Sequence, residues 1–205
     1  MILIKIDLFI FYLIRMMISI EGLPGCRKDE IYQALKEKHS LDVNRSDTKE
    51  WQELLVSNPE KWILAYQMNR LITLNYQYSG SGSLYDSMYS IKKVYVEYLL
   101  RQNTLTTQEY DVFMRYYNLM FKAPDVIIYF FGTFENTYRR MLEKSGSNHV
   151  SYSEEEFKQL HYQYEWVYDN NNCRIPIYKV NIDDKLDNIL RNVVDIIEKT
   201  KNSVT

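Results

Sequence analysis

The stretch "ISIEGLPGCRKDEIYQAL", residues 18–35, decides the fold. Ile18 to Ile20 form a short apolar strand ended by Glu21-Gly22. Pro24-Gly25 is turn chemistry, and Ile31, Ala34, Leu35 and Lys38 follow helical spacing. Strand, glycine turn, lysine and helix is the order of a phosphate-binding loop, where amides at a helix N-terminus and a lysine hold an anion. Set against the pattern G-x-x-x-x-G-K-[ST], the residues are Gly22, Leu23, Pro24, Gly25, Cys26, Arg27, Lys28 and Asp29. Gly22 and Lys28 are in place, and Gly25 stands where many such loops carry glycine. Arg27 replaces the second required glycine. If the backbone there has positive φ, the side chain costs about 1–2 kcal/mol. Asp29 replaces the hydroxyl that helps hold Mg²⁺. A carboxylate can bind the metal or cap the helix, but it also repels triphosphate oxygens, a charge that Arg27 offsets in part. Two readings stand: a nucleotide site with an altered metal ligand, and a strand–turn–helix that no longer grips ATP.

Outward from the loop, "SLDV" at 40–43 reads as a weak second strand. Asn58-Pro59 reads as an N-cap and first helical residue, starting a long helix through Trp62, Tyr66 and Leu71. "YSGSGS" at 78–83 interrupts, and a helix is expected to follow with Tyr85, Met88, Tyr89, Lys92 and Val96. Thr106 with Glu109, and Ser153 with Glu156, make two capping boxes. The continuous apolar run from Val126 to Phe131, bounded by Pro124 and Gly132, predicts a buried parallel strand. "IPIYKVNI" at 175–182 is another strand. The last helix carries a core stripe of Leu186, Ile189, Leu190, Val193, Val194 and Ile197. Strands alternating with helices predict an α/β domain with a parallel sheet covered on both faces.

The chain has 205 residues, enough for one such domain, with 25 basic and 27 acidic side chains and a formal charge of −2. That balance points to no nucleic-acid partner and no polybasic membrane patch. Residues 1–16 are apolar but too short to span a bilayer, which takes roughly 20 apolar residues, and no small-residue cleavage site follows. They read as an extension or an extra apolar element, with Met16 or Met17 as a natural start, residues 17–200 as the domain and 201–205 as a flexible tail. Two distant cysteines, Cys26 and Cys173, suggest a reducing, cytoplasmic setting. His39, His149 and His161 lack metal-ligand spacing.

The whole span from about Met17 to Lys199 resembles the deoxynucleoside kinases, the group of deoxycytidine, deoxyguanosine and mitochondrial-type thymidine kinases and their viral relatives. The segments that carry this are "ISIEGLPG", "NPEKWILAYQMNRL", "APDVIIYFFGTFENTYRRMLEK" and "LHYQYEWVYDNNNCRIPIYKVNI", in the family's order and spacing. The resemblance implies a P-loop NTP hydrolase-like fold of nucleoside-kinase type, with about five parallel strands and helices on both faces. It implies transfer of the γ-phosphoryl group of MgATP to the 5′-hydroxyl of a deoxynucleoside, and a homodimer through the tyrosine-rich helices between Tyr85 and Tyr117. Gln67 holds the position that pairs with the base edge. A buried glutamine otherwise bridges helices. Trp62 fits a pocket wall or a core anchor. Gly22, Gly25, Lys28, Asp29 and the lid candidate Arg140 are the phosphate-binding positions, with Asp29 the place for Mg²⁺.

Other positions depart from the family pattern. Ser46, beside Arg45, falls where the family has its general-base glutamate, with Asp47 or Glu50 as substitutes only if the loop is shifted. The glutamate-arginine-serine motif that ends the third strand has its best match in Ser81-Gly82-Ser83, behind a strand shortened to "LNYQYSG". Ser87-Met88 follows where an aspartate-arginine pair is usual, and Lys144 replaces a second lid arginine. Phosphoryl transfer rests on positioning and charge stabilisation. With base, arginine, loop glycine and metal hydroxyl all changed, the expected activity is weak or lost. The alternative is a pseudokinase that binds nucleoside or dimerises with a partner.

Overall fold

A computed structural model of the chain describes residues 16–46, 49–77, 84–144, 152–170 and 174–203. Five strands form one sheet: β1 (Ile18–Glu21), β2 (Val43–Asn44), β3 (Leu84–Asp86), β4 (Val126–Phe131) and β5 (Ile177–Asn181). Their order is β2–β3–β1–β4–β5 and every pairing is parallel. β1 lies in the centre, with Ile18 opposite Leu84 on one side and Val126 on the other. It is buried along its length, as is β4 up to Phe130, because helices cover both faces.

The helices are α1 (Lys28–His39), α2 (Lys49–Ser57), α3 (Pro59–Gln77), α4 (Glu97–Arg101), α5 (Thr107–Met120), α6 (Phe134–Lys144), α7 (Glu154–Asp169) and α8 (Leu186–Ser203). A π-helical segment, Ile91–Val96, leads into α4. Alternation along β1 separates two cores. Ile18 and Ile20 join Ile31 and Leu35 of α1, Phe157 and Leu160 of α7, and Ile189 and Val193 of α8. Met17 joins Tyr85, Leu71 and Leu74 of α3, and Phe113 of α5. No helix among the described residues is long and apolar enough to cross a membrane.

Local signals hold where they are self-contained. Both capping boxes form, the Thr106 hydroxyl accepting from the Glu109 amide and the Ser153 hydroxyl from the Glu156 amide. The Asn58 side chain accepts from the Lys61 amide at 3.1 Å. Four local expectations are corrected. Asp29 does not cap α1: Arg27 occupies that position, and Asp29 lies inside the first turn. Ser40 is the left-handed C-cap of α1, so β2 starts only at Val43. The segment from Leu74 to Gln77 is helical, and the third strand is Leu84–Asp86. Tyr85 therefore belongs to that strand, and the helical path resumes at Ile91. Residues 1–15, 78–83 and 204–205, with Asp47, His149 and Cys173, carried expectations of their own and lie outside the described residues; Met16 is already buried in the core.

Candidate active site

The C-terminal ends of β1 and β3 and the N-terminus of α1 form one rim, the usual place for ligands in parallel α/β sheets. Glu21, at the end of β1, ties that strand to the segment after β3. It is fully buried and accepts from the amides of Tyr89 at 2.7 Å and Ser90 at 3.2 Å, and from the Ser19 hydroxyl. Burial pushes its carboxyl above the ordinary range, against those hydrogen bonds and the charge of Lys28. The Cys26 amide then donates to the Leu23 carbonyl at 3.1 Å and closes the turn. Gly25 has φ +87°, and a Cβ there would lie 2.1 Å from the Thr137 carbonyl oxygen of α6. The glycine is thus demanded by close packing of the loop on α6.

Arg27 has φ 52° and ψ 18°, the left-handed conformation that glycine adopts freely. Arg27 therefore carries the strain of a left-handed position. The side chain supplies compensation. Nε and Nη2 fork onto the Glu30 carboxylate at 2.7 and 2.8 Å, and Nη1 donates to the carbonyls of Ile182 and Asp184 at 3.2 and 3.1 Å. Arg27 ties the loop to the β5–α8 connection.

Lys28 points the other way. Its Nζ is 2.9 Å from Asp86 Oδ1 and 2.7 Å from the Ser87 hydroxyl. Tyr32 and Ser87 also donate to Asp86 Oδ1, at 2.9 and 2.7 Å, while Arg45 Nε stands 3.9 Å from Oδ2. Burial raises the Asp86 carboxyl, but the Lys28 charge and the converging hydrogen bonds prevail and bring it down to about 2. Asp29 is held from both sides, by Arg45 at 2.5 Å and Lys144 at 2.9 Å. Burial acts upward on Asp29 too, but the Lys144 bond and the Arg45 charge leave it below the usual carboxylate range. Three cations, Lys28, Arg45 and Lys144, therefore share two carboxylates at the mouth of the loop. Both Asp29 oxygens already face a cation. Among the described residues no group of three or more His, Cys, Asp or Glu stands together as a metal site.

A cavity of about 670 Å³ opens from this rim, a size suited to a small ligand. The loop lines one end with Gly25, Lys28 and Asp29, and α3 lines another wall with Ile63, Tyr66, Gln67 and Arg70. The sequence-derived positions Lys28 and Gln67 thus share one cavity. Ser46 also lines it, beside Arg45. Gly22 sits beneath the loop, where an added Cβ would be 3.0 Å from the Phe130 carbonyl oxygen. Trp62 and Arg140, like Gly22, stand apart from the lining. Trp62 packs edge-on against Trp51, with ring centroids 6.4 Å apart. Arg140 pairs with Asp183 at 2.9 Å, and Lys144, one turn later, reaches the cavity instead.

Sequence reasoning missed Asp86 and Arg70. The third strand ends at Asp86, with Ser87 and Met88 after it, while Ser81-Gly82-Ser83 lie outside the described residues. The available signal was the apolar pair Leu84-Tyr85 immediately before an aspartate.

A family model described as deoxynucleoside kinase matches residues 18–205. The chain is 23% identical over 198 residues to the deoxyadenosine/deoxycytidine kinase of Bacillus subtilis (strain 168), covering 88% of this chain and 90% of that protein. In fold it is similar to the deoxyadenosine kinase of M. mycoides. One structure of that enzyme, with products dCMP and a flexible dCDP bound, superposes with a TM-score of 0.77 at 16% identity, over 90% of this chain and all of the other. A second, with bound dCTP, gives 0.76 at 17% over the same shares of the two chains.

Proposed function

This chain belongs to the deoxynucleoside kinase family, and from that premise we propose that it binds a deoxynucleoside against α3 and slowly transfers the γ-phosphoryl group of MgATP to the 5′-hydroxyl. The observation that carries this is the shared cavity of Lys28 and Gln67. Gln67 is buried and meets the base edge, since an amide can both donate and accept. The first-turn amides of α1, which have no intrahelical partner, and Lys28 receive the phosphates. Mg²⁺ arrives with ATP as part of the co-substrate.

Lys28 is committed to Asp86 in the resting protein. A triphosphate competes for it, and as the pair opens the Asp86 carboxylate becomes more basic. In the transfer, the 5′-oxygen bonds to the γ-phosphorus, the bond to the β,γ-bridging oxygen breaks, and the hydroxyl proton passes to Asp86. The rate is low because Ser46 brings no carboxylate, Ser87 brings no guanidinium and Asp29 brings no hydroxyl. Each missing contact of this kind costs about 10²–10³ in rate, though cooperating losses do not multiply. The homodimer expected of the family would use α3 and α5, which carry exposed Ile72, Val112, Tyr116 and Leu119.

Transfer of label from γ-labelled ATP to each of the four deoxynucleosides tests the reading. Turnover above background, lost in Lys28→Met, is expected. Nucleoside binding with no turnover supports the second reading, a non-catalytic nucleoside-binding protein. That reading is favoured by the self-neutralised loop, where Asp29 already occupies Arg45 and Lys144.

A further inference from the structure

Tyr32 follows Lys28 by one turn of α1, so the two side chains share a face of that helix. Tyr32 is buried and stands behind the cavity lining, whereas Lys28, Arg45 and Asp86 belong to it. It touches two of those groups. Its hydroxyl donates to Asp86 Oδ1 at 2.9 Å. Its ring carries the Arg45 guanidinium, with the carbon 5.4 Å from the centroid. Strand register explains why both are in reach: Asn44 pairs with Tyr85, so Arg45 and Asp86 come next to each other at the ends of neighbouring strands. The hydrogen bonds at Asp86 are lopsided. Lys28, Tyr32 and Ser87 donate to Oδ1 at 2.9, 2.9 and 2.7 Å. Oδ2 has Arg45 Nε at 3.9 Å, beyond hydrogen-bond length. Burial, then the Asp86 charge, push the Tyr32 hydroxyl well above its ordinary value, so it stays a donor.

Resting on the reading that Asp86 takes the 5′-hydroxyl proton, we propose that Tyr32 is a positioning residue of the transfer, its hydroxyl fixing Asp86 so that Oδ2 meets the substrate and its ring holding Arg45 beside the phosphates. A triphosphate draws Lys28 away from Oδ1, and the carboxylate then needs another donor to keep its orientation. Tyr32 and Ser87 remain. Ser87 adjoins Asp86 in the chain, whereas Tyr32 is anchored in α1, the helix whose N-terminus receives the phosphates. Tyr32 is therefore the contact that fixes the carboxylate relative to the phosphoryl group. As the 5′-oxygen bonds to the γ-phosphorus and the bridging bond breaks, the hydroxyl proton goes to Oδ2, and Oδ1 of the neutral carboxyl still accepts from Tyr32. Arg45 is shared with Asp29, and the ring face holds it at the loop mouth without using its N–H groups. The groups facing Asp86 are Lys28 and Tyr32 of α1, Arg45 after β2, Ser87 after β3 and Arg70 of α3, with Glu21 of β1 and Tyr95 facing Lys28.

Steady-state kinetics of the full chain, with MgATP and each of the four deoxynucleosides in turn, test this. In Tyr32→Phe the ring stays and the hydroxyl goes. Its kcat is expected to fall about tenfold, with KM for MgATP and for the deoxynucleoside within about twofold of wild type. The acid limb of kcat should move up by about one pH unit, because the carboxylate loses a hydrogen bond that favours its charged form. Tyr32→Leu removes the ring as well. It should show the same loss of kcat and, in addition, calorimetric binding of MgATP weakened about fivefold. Both variants report on the hydroxyl, so the matter is decided even if one of them does not fold. A Tyr32→Phe protein with the kcat and acid limb of wild type, or one altered in KM alone, overturns the inference and leaves the kinase reading standing. Equal MgATP affinity in Tyr32→Leu and wild type overturns the role of the ring. A wild-type chain without turnover removes the transfer reading itself, and the inference with it.

Discussion

Asp86→Asn keeps the shape of the side chain and removes the charge that Lys28 faces. Asp86 titrates at about 2 in the folded protein, against an ordinary 3.8. That difference of nearly two pKa units is roughly 2 kcal/mol of stability at pH 7. Lys28 is left without its partner at 2.9 Å, and broken buried pairs reach 3–5 kcal/mol. Side-chain exposures of 17% and 18% place this pair at the lower end, at roughly 2–3 kcal/mol. The pH dependence follows from the sign of the shift. Because the folded carboxyl is depressed, its contribution is whole above the unfolded value near 4 and drains as pH falls toward about 2. Urea unfolding of wild type and variant at several pH values reads this as a difference that shrinks with acid. The difference isolates Asp86 from Glu21, whose raised carboxyl acts with the opposite sign. Adding Lys28→Met should cost less than the sum of the two single changes. A loss below about 0.5 kcal/mol at pH 7, or a difference that persists into acid, would refute the coupling.

Three other changes follow from the same geometry. Gly25→Ala sets a Cβ 2.1 Å from the Thr137 carbonyl oxygen at positive φ, and should cost about 3 kcal/mol or more in urea unfolding. Asp29→Ser releases Arg45 and Lys144 toward phosphate, and MgATP affinity measured by calorimetry should rise about tenfold. Cys26 is buried, bonds the Phe130 carbonyl, and has its thiol pushed up to about 12, chiefly by burial. Peptide mapping after iodoacetamide at pH 8 should find it unmodified in the folded protein and labelled once urea unfolds the chain.

The elements legible in the sequence are those whose cause is local. A capping box spans four residues, and the run from Val126 to Phe131 declares a buried strand by composition alone. The phosphate loop was legible because its glycine turn, lysine and helix are contiguous. β3 was hidden because three residues show no period and the helix before them runs to Gln77. With β3 misplaced, Asp86 lost its position at the rim. Its meaning depends on Lys28, 58 residues away, and the Asp29–Lys144 contact spans 115. Trp62 and Gln67 lie on the same helix, α3. Ile63, Gln67 and Arg70 are spaced by four and three and share the cavity wall, whereas Trp62 is a step of about 100° away and meets Trp51. Arg27 shows the limit of motif reading. A left-handed loop position can be filled by arginine when the side chain gains enough hydrogen bonds.

The central claim is that Lys28 and Gln67 serve one ligand. The most direct measurement is calorimetric binding of a bisubstrate compound, a deoxynucleoside joined through 5′-phosphates to adenosine. The compound should bind about 100-fold tighter than the deoxynucleoside alone, because its second half is held at high effective concentration. Lys28→Met and Gln67→Leu should each weaken it by about tenfold. An affinity no better than that of the free nucleoside, or one indifferent to either substitution, would contradict the account.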